Sequence, residues 1–309
     1  VLDGFLVVDK PAGMSSHQVV AMLRRTLGEK KIGHTGTLDP FATGVLPIAL
    51  GEGTKAITFL DESVKEYRAT MRLGISTDTQ DLEGEILEQR GWSHVTREAV
   101  ESLVQAFSGN LLQVPPMFSA LKRDGVPLYK LARKGETVER EPRAITVHSL
   151  EMERIELPEV SFTVRCSRGT YVRTLAHDMG ESLGCGAHLL ALRRTKSGPF
   201  SLENSFTLDE IAVGPPREVA VRHFVPVRTA LAHLPELELT PAGSARVRNG
   251  IPPLEGDLAS GSAIPSSGRV ILTSDGTIAA VAEVILPGER RGGSLLRICR
   301  GFNQVSALQ

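Results

Sequence analysis

The sequence predicts an α+β fold followed by a small β-rich C-terminal domain, and three observations carry that prediction. Two runs, KEYRATMRLG (65–74) and VSFTVRCSRG (160–169), alternate apolar and polar side chains as half-buried strands do. Three others place apolar residues at helical spacing and end on a Gly. From about residue 235 only short strand-like runs remain, among Pro and Gly. A chain of 309 residues has room for two domains and a sizeable core.

GFLVVDKP (4–11) reads as a short buried strand stopped by Pro11. In SSHQVVAMLRRTLG, Ser15 or Ser16 can cap a helix, Val19, Val20, Leu23 and Leu27 make its stripe, and Gly28 ends it. A loop follows, GHTGTLDPFATG (33–44), and then VLPIALG (45–51), an apolar strand. In 65–74, Tyr67, Ala69, Met71 and Leu73 share the inner face. TREAVESLVQAFSG (96–109) predicts a helix capped by Thr96 and stopped by Gly109. Residues 113–143 mix Pro, Gly, aromatics and charges and read as an excursion from the core. In 160–169, Val160, Phe162, Val164 and Cys166 point inward, and GTYVRTLAHDMGESLG continues as a helix closed by Gly184. After Phe200 the pattern loosens through VGPPRE and AHLPELELTPAG, and GRVILTS, TIAAVAEVIL and SLLRICR read as strands. The expected division is 1–232 and 233–309.

Composition narrows the function. Net charge is −1, so nothing global marks a nucleic-acid partner. Charge is segregated, however. Residues 163–198 hold six Lys/Arg against two acids, 118–148 hold seven against four, and 78–101 reverse the sign with seven acids against two Arg. Such blocks can build a basic face on a neutral protein. Three scattered Cys without a CxxC pair argue against zinc and a disulfide framework and fit a reducing cytoplasm. No run is long and apolar enough for a membrane span, and the N-terminus lacks the regions of a signal peptide. An initiator Met is expected to precede Val1.

The 33–44 loop frames one acid, Asp39, with Gly33, Gly36, Gly44 and several Thr. Pro40 biases Asp39 towards an extended backbone, and the glycines permit close approach. A carboxylate so held can act as nucleophile, base, metal ligand or turn cap. His34 has no third partner at metal-ligand spacing. GxSxG, GxGxxG and the P-loop pattern are all absent, which argues against a hydrolase triad, dinucleotides and nucleoside triphosphates. Tyr67 is either a core tyrosine or part of a site. Arg173, at the start of a helix and on its inner side, needs an anion, and Asp39 is the candidate.

Four stretches together, DKPAGMSSHQVV (9–20), GHTGTLDPFATGVLPIALGEGTK (33–55), KEYRATMRLG (65–74) and CSRGTYVRTLAHDMGESLGCGAHLLALRRTKSGPF (166–200), resemble the TruB family of tRNA pseudouridine synthases. The likeness covers most of residues 3–210. It implies the pseudouridine synthase fold, a mixed, largely antiparallel sheet with flanking helices and a central cleft. More weakly, it implies a PUA-like RNA-binding domain at the C-terminus. The implied activity is isomerisation of uridine 55 in the T loop of tRNA, by base flipping, without cofactor or metal. Asp39 aligns with the family's catalytic aspartate, Tyr67 with the tyrosine that packs on the target base, and Arg173 with the arginine paired to the aspartate. His34, Tyr171 and Leu192 align with positions that contact or support the flipped nucleotide. Residues 113–143 match the insertion that closes over the T arm. A stand-alone monomer without guide RNA is expected. The rivals are an RNA-binding or RNA-folding protein with catalysis secondary, the guide-RNA relative, and an aspartate-nucleophile hydrolase.

Overall fold

The computed structural model describes residues 2–260, 262–286 and 294–303. The main sheet is built from β1 (Gly4–Lys10), β2 (Thr43–Leu50), β3 (Val64–Leu73), β4 (Gly109–Gln113), β5 (Arg143–Glu156), β6 (Glu159–Ser167), β7 (Ala187–Ser197) and β8 (Ser205–Thr207). Their order is β8-β1-β2-β7-β3-β6-β5-β4, with three short strands attached at the sides. Only the β1–β8 and β2–β7 pairs on that path are parallel. The sheet is thus mixed and largely antiparallel.

The register of its centre follows from the alternation. Tyr67, Ala69 and Met71 of β3 lie opposite Val164, Phe162 and Val160 of β6, and all six are buried. A one-residue slip would turn this whole set outward. Helices α1 (Ser16–Leu27), α2 (Arg97–Ala106) and α3 (Val172–Ser182) contribute to the core on this face. Ser15 caps α1 in a reciprocal box with Gln18, and Gly28 closes it in the left-handed region at φ 68°. Thr96 caps α2, as its position suggests.

Two expectations need correction. Gly109 does not stop α2, which ends at Ala106 with Phe107 as its cap; Gly109 opens β4 instead. That strand is an edge strand and mostly exposed, so it carries no apolar rhythm to read. The stretch after Phe200 is also more helical than its Pro content suggests. Helices span Leu208–Val213, Pro216–Arg222 and Pro241–Arg248, the last two with Pro in the first turn, where a missing N–H costs nothing.

The excursion between β4 and β5 holds a hairpin of Lys122–Arg123 with Val126–Pro127 and a short helix, Leu128–Ala132. A second sheet, β9 (Glu236–Glu238), β10 (Arg269–Ser274), β11 (Thr277–Val284) and β12 (Leu296–Gly301), runs in sequence order. Ile271, Ile278, Val281 and Phe302 of this region share a core with Phe5, Val7, Phe59 and Val227. Among the described residues no helix is long and apolar enough to cross a membrane.

Candidate active site

The Asp39 loop is held by three side chains and one backbone N–H. Ser16, at the start of α1, accepts from the Leu38 N–H at 2.9 Å and donates to the Leu38 carbonyl at 3.2 Å. Lys10, at the end of β1 and fully buried, donates to the carbonyls of Pro11 (2.8 Å), Met14 (2.7 Å) and Pro40 (3.1 Å). Burial lowers its ammonium to about 8, with Asp39 pulling the other way. Arg194 of β7 is 0 % exposed; its guanidinium donates to Val45 (2.8 Å), Thr37 (3.3 Å) and Gly36 (3.0 Å) carbonyls. The Gly13 N–H adds a bond to the Pro40 carbonyl at 2.8 Å. The buried Lys10, Ser16 and Arg194 donors thus all meet backbone carbonyls of the loop and its neighbours.

The glycines of the loop differ in their reasons. Gly44 has φ +101°, and a Cβ there would stand 2.2 Å from the Arg194 carbonyl oxygen. This is where β2 lies against β7, with Gly44 opposite Arg194. A Cβ on Gly36 would meet Lys65 Nζ at 2.9 Å. Gly33 has open space around it, and nothing in the structure explains its identity.

The expected partner of Asp39 is in place. Arg173 Nε donates to Asp39 Oδ2 at 2.8 Å, and its Nη2 donates to Oδ1 at 3.3 Å. The same guanidinium donates to the carbonyls of Thr79 (2.6 Å) and Phe118 (2.8 Å). All three guanidinium nitrogens are therefore committed, an arrangement a lysine could not match. A second acid, Asp81, stands 3.7 Å from Arg173 Nε. Burial pushes the Asp81 carboxyl up, against hydrogen bonds from Thr79 and the Glu83 N–H and the pull of Arg173. The two acids differ in access: the Asp39 side chain is 34 % exposed and that of Asp81 only 6 %.

Tyr67 is buried on β3 directly opposite Arg194 of β7. Burial pushes the phenol up, and the Arg194 charge opposes it. Tyr171 is the residue just before α3. Its backbone is gripped twice by the buried Gln113 side chain, at 2.8 and 3.1 Å. His34 ends the short strand Ile32–His34, with its ring edge-on to His17 at 5.0 Å between centroids. Burial, then His17, lowers its basicity, and its Nδ1 is buried without a partner. It makes no hydrogen bond to Asp39 or Arg173. Leu192 lies on β7 opposite Ala69, buried beside the Tyr67–Arg194 pair. Among the described residues, no three His, Cys, Asp or Glu side chains are grouped to hold a metal ion.

Three comparisons bear on this arrangement. The model of the TruB family pseudouridylate synthase N-terminal domain matches residues 24–172. That of the tRNA pseudouridylate synthase B C-terminal domain matches residues 173–231. A tRNA pseudouridine synthase B of Geotalea uraniireducens is 56% identical over 304 residues, 98% of each chain. The enzyme of that name from Geobacter sulfurreducens is 54% identical over 98% of this chain and 100% of its own. The chain belongs to the TruB family. Among solved structures, the protein in a Cbf5-Nop10-Gar1 complex is 29% identical with a TM-score of 0.72, over 96% of this chain and 84% of that one. An H/ACA ribonucleoprotein bound to a substrate RNA containing 2'-deoxyuridine gives 27% and 0.71.

Within this TruB-family site, sequence reasoning missed Lys10, Asp81, Gln113 and the role of Arg194. Asp81 lies in an acid-rich tract that looks solvated. Lys10 leaves a signal, a lone cation at the end of an apolar strand. The basic block 163–198 is not one face: Arg173 and Arg194 are spent inside, and Arg193 pairs with Asp9 at 2.6 Å. Arg165, Arg168 and Lys196 remain exposed.

Proposed function

We propose that this protein isomerises uridine 55 in the T loop of tRNA to pseudouridine, with Asp39 as the nucleophile. The reaction breaks the C1′–N1 glycosidic bond and joins C1′ to C5 of the same base. N1 gains a proton and C5 loses one, so the change is redox-neutral. One observation carries the assignment of Asp39. Of the two acids on Arg173, only Asp39 is open to a substrate while gripped by a buried guanidinium. A carboxylate so held attacks either the base or C1′ and keeps the fragment while it turns.

Arg173 is the positioning partner, and Tyr67 packs on the flipped base. Its phenol, raised by burial, stays protonated at neutral pH and serves as a donor. Tyr171, His34 and Leu192 contact or support the nucleotide once it leaves its stack. Unstacking costs a few kcal/mol, which phosphate contacts and aromatic packing offset. The 113–143 insertion closes over the T arm; its Phe118 carbonyl already touches Arg173. We read residues 1–232 as the catalytic unit and 233–309 as a PUA-like RNA-binding unit, working as a cytoplasmic monomer without guide RNA. The relatives named tRNA pseudouridine synthase B support this over the guide-RNA type, by their higher identity.

The test uses tRNA transcript tritiated at C5 of uridine. Forming the new C–C bond expels that hydrogen into water. Wild type is expected to release tritium, while Asp39→Asn folds, binds tRNA and releases none. Release by Asp39→Asn would overturn the nucleophile; none by wild type, with tRNA bound, would leave a binding protein.

A further inference from the structure

Behind the Asp39 loop lies a cluster of buried charge that the reaction as described does not use. Three charged groups converge on the space a Gly36 side chain would fill: Lys65 Nζ at 2.9 Å, Arg194 Nη1 at 3.7 Å and Glu62 Oε1 at 3.9 Å from the ideal Cβ. The Lys65 ammonium occupies the place a Gly36 side chain would take. Lys65 sits on β3 two residues before Tyr67, so both lie on the inner face. Glu62 is buried, and its Oε1 has no hydrogen-bond partner. Neither Lys65 nor Arg194 closes an ion pair with it. The hydroxyl of Ser197, opposite Lys65 across the sheet, is also buried and unpartnered.

A buried carboxylate with an unspent oxygen attracts any cation that can reach it. Arg194 is the dangerous one. Its guanidinium carries the loop through Gly36 and Thr37, and the residue lies opposite Tyr67 across the sheet. A turn towards Glu62 would release both carbonyls. Lys65 supplies the competing positive charge.

We propose that Lys65 is a positioning residue for the isomerisation: by answering the charge of Glu62 it leaves the Arg194 guanidinium on the Gly36 and Thr37 carbonyls, and so holds the Asp39 loop and Tyr67 in register. The proposal rests on the reading of Asp39 as nucleophile. The groups facing Lys65 are Arg194 from β7, Glu62 from the turn before β3, Arg168 beyond β6 and Cys166 on it. Burial, with Arg194 next, lowers the ammonium to about 8. Neutral Lys65 thus appears at mildly alkaline pH, and the device lets go.

The test is a double-mutant cycle read by single-turnover tritium release, with tRNA affinity measured beside it. Lys65→Met is expected to slow turnover roughly 10²-fold, the scale of a small misplacement of reacting groups, with tRNA affinity unchanged. Glu62→Gln in that background removes the competing acid and restores most of the rate. A merely structural lysine would give a double variant no faster than Lys65→Met, and that result overturns the proposal. Glu62→Gln alone gives a second test should Lys65→Met not fold. The rate of wild type falls as pH rises through about 8, and Glu62→Gln removes the part of the fall due to Lys65. Lys10, also near 8, faces Asp39, Glu83 and Arg194 but not Glu62, so that substitution removes no charge facing it. An unchanged alkaline limb overturns the proposal. Turnover by Asp39→Asn would remove the reading underneath. Full activity of Lys65→Met beside an inert Asp39→Asn would remove the proposal alone.

Discussion

Arg173 makes four hydrogen bonds from one buried side chain: two to Asp39, one to Thr79 and one to Phe118. A lysine keeps the charge but cannot fork. Arg173→Lys should strand at least one buried carbonyl, a cost of about 1–3 kcal/mol, and loosen Asp39. We expect tritium release to fall roughly 10²-fold with tRNA still bound; a rate within a factor of about three of wild type would show that charge alone suffices. This pair is legible in the sequence, because a helix-start Arg on an apolar stripe demands an anion and Asp39 is framed for display. Asp81 is not legible there, since nothing local distinguishes it from the acids around it. Its burial comes from the chain folding over it.

The elements explain why the loop is rigid. Its two flanks are the short strand Ile32–His34 and β2, and its side-chain holders sit on β1, α1 and β7. Gly44 is the contact point between β2 and β7, with left-handed φ and no space for a Cβ. Gly44→Ala should cost about 2–3 kcal/mol through strain and displaced backbone. Chemical denaturation reads this directly, and activity should fall with it, because Arg194 pairs with that residue and carries the loop. An unaltered midpoint would mean β2 and β7 part without cost. The strands and helices themselves are largely readable, since period 2 and period 3.6 are local signals. Edge strand β4 is not, because an exposed edge needs no apolar face.

At the scale of the molecule, two further outcomes follow. The second sheet shares its core with β1, through Phe302, Ile271 and Ile278 on Phe5 and Val7. A chain cut after residue 232 would expose that face and should aggregate or melt earlier than the full chain in a thermal scan; a cut chain as stable as the whole would make the two sheets independent. The half-buried Lys65 also links stability to pH. Lys65 stands at about 8 in the fold against 10.5 for an ordinary lysine. Below pH 8 both folded and unfolded chains carry the proton, and the burial cost is present in full. Between about 8 and 10.5 the unfolded chain binds more protons, so this site's contribution to stability rises with pH. Denaturation midpoints should therefore show wild type gaining on Lys65→Met from pH 7 to pH 10. A constant difference would place the lysine in contact with water.

Local pattern alone specified the α+β class, the main strands and helices, the excursion at 113–143 and the pairing of Asp39 with Arg173. These rest on periodicity, capping residues and the unpaired charge of single side chains, all of which act over a few residues. Tertiary structure alone decided which acid on Arg173 is open, which basic residues are spent inside, and which charges gather behind Gly36. Those answers depend on burial and on side chains brought together from distant parts of the chain. Lys65 and Glu62 meet Arg194 only when β7 is laid beside β3, and no spacing along the chain encodes that meeting.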